Sequence, residues 1–326
     1  MKIYLYIILL TLICTNLLGQ QRSLEITSQE SENAHWWINA SVLQSFGHTS
    51  YFLSALSEIG EGDVQRLRSE LVFPMDVTTA SLALGWQSAP TNNRAWAFEL
   101  AVLTNLNDPQ NSMTDDDWIG DVQVVHTESQ SKLKLNQITL RANYLLGVNK
   151  PRTFTLLSQL IYQNMIHNVI GYEGWIANYS NQRMVEISGS QPVIDYEVTY
   201  FTPQLGVGVV LRLKEWFTVD FNVLGGILFA ADTDHHLVRS TISEGTGTGF
   251  SLHVDGSFNF LTTIGKKLIF PISLVGKIDY FDANGNQSKL FTINEGPNEA
   301  GTKLTGIGHE FVSLQYGIGI KIGINF

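Results

Sequence analysis

The chain has 326 residues and a net charge of −10, with 15% charged residues, a balance that excludes the basic stripe a nucleic-acid partner requires. Its one cysteine, Cys14, falls near the N-terminus, so the rest of the chain has neither a disulfide framework nor a thiolate site. With 28 glycines, 11% aromatic residues and no second apolar run long enough for a spanning helix, the composition fits one large β domain.

Residues 1–19 read as a signal peptide: Lys2 is the charged start, Ile3 to Ile13 the apolar core, and Gly19 a small residue at the expected cleavage point. Residues 20–326 form the expected single domain, which begins with a polar segment to about Ala34. From there the chain settles into alternating runs. Strands are expected near 36–57, 65–88, 94–106, 130–147, 152–170, 193–212, 216–231, 247–265, 267–282 and 305–326. The last run is the plainest: Val312, Leu314, Tyr316, Ile318, Ile320, Ile322, Ile324 and Phe326 alternate with mostly small or polar residues such as Ser313, Gln315, Gly317 and Lys321. Side chains on a strand alternate faces, so one face is apolar and the other wet. Phe217, Val219, Phe221 and Val223 repeat the pattern against Thr218, Asp220 and Asn222.

Three connections read as hairpin turns, around 89–93, 147–152 and 214–215, and four read as long loops, 107–129, 171–192, 232–246 and 283–304. Short turns on one rim, long loops on the other and outward apolar alternation together predict an all-β chain, an antiparallel transmembrane β-barrel of about ten long strands. Several strands exceed the roughly 9–11 residues that cross the hydrocarbon, so a rim is expected to stand above the membrane. Trp36, Trp37, Trp96, Trp175 and Trp216 are expected in the aromatic girdles.

Two loops carry candidate chemistry: Ser112-Met113-Thr114-Asp115-Asp116-Asp117-Trp118, and Ala231-Asp232-Thr233-Asp234-His235-His236. An isolated Asp run is ordinarily a solvated acidic tip, and a His pair beside acids is ordinarily a surface feature or an adventitious metal site. In combination, an Asp-x-Asp-Trp on one wall and an Asp-x-Asp-x-His on the other, on the third and seventh strands of a secreted barrel, resemble the omptins, the outer-membrane aspartyl-type endopeptidases. Ser69-Glu70-Leu71 with Gly85-Trp86, His126, Asp195-Tyr196, and Pro203 with Gly206 extend the resemblance along the chain.

The resemblance implies a catalytic set of Asp115, Asp117, Asp234 and His236. A water between the walls would lose its proton to His236, with the imidazole oriented by Asp234. Asp115 and Asp117 would share a proton and stabilise the tetrahedral intermediate. In the family an acid on the first strand and the first Asp of the second motif receive a basic side chain. Asp232 matches the latter, and Tyr51 stands where the former is expected, placed to stack on a cation. The family's lipopolysaccharide cluster is matched only by the Tyr of Tyr162-Gln163-Asn164-Met165-Ile166, with Thr199 near the second Arg position, so the resemblance leaves a lipopolysaccharide dependence resting on one residue of that cluster. No cofactor and no metal are expected. The expected partners are peptide or protein substrates and outer-membrane lipid, the expected state is a monomer, and the expected active face is extracellular. A catalytically silent barrel acting as an adhesin, and a small porin, are the other readings of the same strands.

Overall fold

The computed structural model describes residues 33–58, 64–108, 110–148, 150–177, 183–264, 268–294 and 299–326; the expected signal peptide lies outside them. Twelve strands follow one another: β1 (His35–Glu58), β2 (Val64–Pro74), β3 (Val77–Gln87), β4 (Arg94–Asn105), β5 (Gln110–Ile119), β6 (Val122–Leu146), β7 (Arg152–Ala177), β8 (Met184–Lys214), β9 (Phe217–His236), β10 (Thr241–Ile264), β11 (Leu268–Phe291) and β12 (Lys303–Asn325). All pairings are antiparallel, and β1 closes on β12 from Trp37↔Asn325 to Ser54↔Gly308. β2 and β3 run end to end along β1, and β4 and β5 along β6, so the twelve segments form the ten staves of a closed barrel. Among the described residues, closure pairs every strand with a neighbour on both sides.

The two interrupted staves have local causes. Pro74 has no amide hydrogen to give the ladder. At that break Met75 donates its N–H to the Gly47 carbonyl at 2.9 Å. Gly47 sits at φ 117, and a Cβ there would lie 1.9 Å from the Leu314 carbonyl oxygen, so only glycine fits. Between β4 and β5 the Asn105 side chain takes over the pairing with β6: its Oδ1 accepts the Leu135 N–H at 2.8 Å and its Nδ2 donates to the Leu133 carbonyl at 2.9 Å.

The expected hairpin turns are found between β3 and β4, β6 and β7, and β8 and β9. The four expected long loops are not. Residues 110–119 and 122–129 are a continuous hairpin, β9 and β10 are joined by 237–240, and β7, β8, β10 and β11 run through most of the remainder. The rim is therefore built of strand extensions. β8, with 31 residues, has a length of roughly 100 Å at about 3.3 Å per residue, well beyond a hydrocarbon layer of about 30 Å even when steeply tilted.

The outer face changes character along each stave. Val102, Ile138, Tyr162, Phe201 and Phe229 are successive register partners that point outward and are exposed. One pair of residues nearer the rim, the corresponding row is Thr104, Asn136, Asn164, Thr199 and Ala231, all small or polar. Below this boundary lies a continuous apolar belt that ends, on β12, with Tyr316, Ile318, Ile320, Ile322 and Ile324. Such a belt is a lipid-facing surface. Trp36, Trp96 and Trp216 are exposed at its turn end, as expected of a girdle. Trp37 and Trp175 depart from that expectation. Trp37 points inward, where its Nε1 donates to Glu99 at 3.2 Å, and Trp175 stands at the rim beside His126, ring centres 6.1 Å apart.

Side chains cross the lumen at several levels. At belt level Arg141 donates to Asp255 and Gln159, and His253 lies between Asp255 and Asp279. Gln163 and Gln315 exchange amide hydrogen bonds across the interior at 2.9–3.0 Å. Nearer the rim Phe73 stacks on Tyr196, with centres 4.7 Å apart, and Tyr51 and His167 pack around them.

Candidate active site

β5 and β9 are extended at the rim, so every second residue faces the lumen: Met113, Asp115 and Asp117 on β5, and Asp232, Asp234 and His236 on β9. The two expected pairs thus stand on facing walls, both on strands where loops were expected. Both lie on the rim side of the belt boundary, because β9 reaches Asp232 only after Ala231. The outward residues of the same segments are engaged elsewhere. His126 Nδ1 donates to Asp116 at 2.7 Å on the outer side, and Arg68 lies 4.0 Å from the Trp118 ring centre.

Asp115 is buried, and loss of hydration together with the neighbouring Asp117 carboxylate raises its pKa to about 7. Its Oδ1 has no hydrogen-bond partner. Burial likewise raises Asp234, opposed by the Tyr51 hydroxyl, which donates to Oδ2 at 2.5 Å and leaves Oδ1 unpartnered. Burial, with smaller contributions from Arg239 and Lys289, lowers His236 to about 3, so the ring is neutral at ordinary pH.

One expectation is corrected here. Asp234 does not orient His236: its Oδ2 is taken by Tyr51, while His236 Nδ1 accepts the backbone N–H of Arg239 at 3.2 Å. The two side chains sit two residues apart on one strand face and are held by different neighbours. With Nδ1 accepting, the neutral ring carries its hydrogen on Nε2.

The expected substrate-binding pair is also corrected. Tyr51 is 1% exposed and presents no face to a ligand, since it packs 4.9 Å from Tyr196 and edge-on to His309. The Asp232 side chain is fully enclosed, 3.4 Å from His309 Nε2 but without hydrogen-bond geometry, with the Tyr196 hydroxyl and the Gly245 amide beside it. Burial and Asp234 raise its pKa to about 8. The polar atoms of His309 are unpartnered, and burial lowers that ring to about 4. Tyr51, Tyr196, Asp232 and His309 therefore make the floor of the cleft, not its wall. A Cβ on Gly245 would strike both His309 and Asp232, so that glycine is what lets the two side chains meet.

The residue that sequence reasoning missed is Arg239. It follows β9 in the turn 237–240, three residues beyond His236, and its Nη2 reaches across to Asp117 Oδ2 at 3.4 Å. A lone cation just past the only Asp-x-Asp-x-His motif was the available signal. Among the described residues no three His, Cys, Asp or Glu side chains are grouped as metal ligands. Of the lipopolysaccharide positions, Tyr162 is exposed on the belt, while Asn164 donates to Glu197 and Thr199.

The comparisons agree with this architecture. The outer-membrane protease OmpT from Escherichia coli superposes with a TM-score of 0.69 over 88% of this chain and 96% of its own, at 15% sequence identity. The translocator domain of the autotransporter NalP from Neisseria meningitidis aligns over 97% of this chain and 96% of its own, with a TM-score of 0.42 and 11% identity. No curated protein matches the sequence. The family model described as the Omptin family matches residues 71–322, a span that runs from within β2 into β12 and includes both acidic motifs. This chain is an outer-membrane β-barrel and a member of the omptin family.

Proposed function

We propose that the barrel is an endopeptidase whose cleft opens at the extracellular rim and which hydrolyses exposed peptide bonds with an activated water. The observation that carries this reading is the convergence of Asp115 and Asp117 with Asp234 and His236 on facing lumen walls, above the lipid belt, with carboxylate oxygens on both walls left unpartnered. Buried polar atoms are nearly always paired, and unpaired ones mark places where a water or ligand belongs. A water between the walls accepts hydrogen bonds from the protonated member of the Asp115–Asp117 pair and donates toward the β9 side. His236 takes the water's proton as the water attacks the peptide carbonyl, and later returns it to the leaving amine. For this the Arg239 N–H must first leave Nδ1, since the capped ring offers no lone pair in its resting tautomer. The protonated carboxyl of Asp115 donates to the developing oxyanion. The chemistry requires neither a cofactor nor an acyl-enzyme. The acidic cleft favours peptides with basic residues at or beside the cleaved bond.

Side chains that cross the lumen at several levels argue against the porin reading. The capped imidazole favours one alternative, a barrel that binds peptides without cutting them. Incubating the refolded protein with an Arg- and Lys-rich quenched peptide separates these readings. The endopeptidase reading expects cleavage by the parent that is lost in Asp115→Ala and in His236→Ala. Cleavage that survives in both variants removes the mechanism, and a peptide library bound but left uncut supports the binding barrel.

A further inference from the structure

The cleft already holds a positively charged side chain of its own. Arg239 starts on the His236 side, in a four-residue turn, and its guanidinium ends on Asp117 of the opposite wall. The side chain is 40% exposed and Asp117 19%, so the contact spans the mouth and does not lie under it. Its charge is felt by Asp115, Asp117 and Asp234, the acids among which a peptide would lie. The turn is held at its far end, where Ser240 adopts φ 50 and its carbonyl accepts both the N–H and the hydroxyl of Thr292.

We propose that Arg239 is a built-in competitor for the substrate's cation: its guanidinium bridges the cleft to Asp117, and a cationic side chain of the substrate exchanges with it there. This rests on the endopeptidase reading, in that it places the peptide in this cleft. The physical argument is one of balance. A partly exposed ion pair contributes little and breaks readily. A peptide that brings its own ammonium or guanidinium replaces the broken pair with an equivalent one. A neutral peptide must separate Arg239 from Asp117 and leave the carboxylate among other acids without a counter-charge, which like-charge repulsion penalises. Discrimination therefore comes from what the cleft must give up, and the buried Asp232 need not be reached. The same residue supplies the N–H on His236 Nδ1, so the side chain that crosses to Asp117 and the amide that caps the imidazole belong to one position.

The test compares two non-cleavable peptides, with a reduced scissile bond, that differ only in Arg against Gln at one position. Their binding to the refolded parent, Arg239→Ala and Arg239→Lys is read by fluorescence anisotropy. The proposal expects the parent to prefer the Arg peptide. In Arg239→Ala both peptides bind roughly three- to tenfold more tightly, since neither has an internal guanidinium to displace from Asp117, and Arg239→Lys keeps the parental affinities. Unchanged affinities in Arg239→Ala overturn the proposal, as does a loss of affinity for both peptides, which would make Arg239 a direct substrate contact. A second measurement needs no peptide: addition of arginine amide to the parent in micelles shifts the Arg239 side-chain ¹⁵N resonance if the guanidinium exchanges at Asp117. If the parent binds neither peptide, the endopeptidase reading fails while this resonance still decides the exchange. An unmoved resonance overturns the exchange itself.

Discussion

The barrel holds two layers of buried aspartates that are treated in opposite ways. At belt level Asp255 accepts from Arg141, His253 and Asn222, each at 2.7 Å, and Asp279 is held by His253 and Lys277. At the rim Asp115 and Asp234 each keep an oxygen without a hydrogen-bond partner, and Arg239 reaches only Asp117. The lower layer spends its charges on one another, which crosslinks the wall of the lumen and leaves no group for a ligand. The upper layer withholds them. Unpaired buried carboxyls cost stability, and a cost that falls on inward residues of two facing strands marks a working surface.

This contrast predicts that the two layers fail differently. His236→Ala is expected to lower kcat on a cleavable peptide by about 10²- to 10⁴-fold, the usual contribution of a general base, with little change in the urea midpoint. Asp255→Ala is expected to do the reverse. Removing the acid strands Arg141 in the lumen, at a cost of about 3–5 kcal/mol by denaturation, while turnover per folded molecule is kept.

The site's own cost can be read from its pH dependence. The folded-state pKa of Asp115 lies near 7, above its unfolded value, so folding takes up a proton in the window between them. The corresponding stability is fully present below the unfolded carboxylate range and is lost as pH rises through about 7. Asp115→Asn is therefore expected to be more stable than the parent at pH 8, by about 4 kcal/mol, and equal to it near pH 3. Equal stability of the two at both values would remove Asp115 from the strained set. The smallest effect belongs to Tyr51→Phe. Loss of the hydroxyl on Asp234 Oδ2 is expected to cost about 1 kcal/mol and to shift the acid limb of the rate profile upward, since that bond lowers the Asp234 pKa.

How much of this was legible in the sequence follows from the same physics. Belt strands such as 217–229 and 312–326 alternate because lipid on one side and a polar lumen on the other impose opposite chemistry on neighbouring residues. Rim segments such as Gln110–Ile119 lose that signal, because water bathes the outer face and polar groups line the inner one; they read as loops but are strands. The inward parity of Asp115, Asp117, Asp234 and His236 survived this error, since a strand keeps every second residue on one side. Partnership did not survive it. That Tyr51 would hold Asp234, that Arg239 would cap His236 and cross to Asp117, and that Asp232 would be enclosed with His309 depend on contacts between residues up to 183 positions apart. No local pattern encodes such contacts.

The central claim is that the facing walls act on one water, and a double-mutant cycle in hydrolysis tests it most directly. Groups that serve a single step are not additive. If Asp115 and His236 share that water, Asp115→Ala combined with His236→Ala cleaves the quenched peptide no more slowly than the slower single variant. Losses that multiply, or a double variant that still cleaves at the parental rate, would contradict the claim.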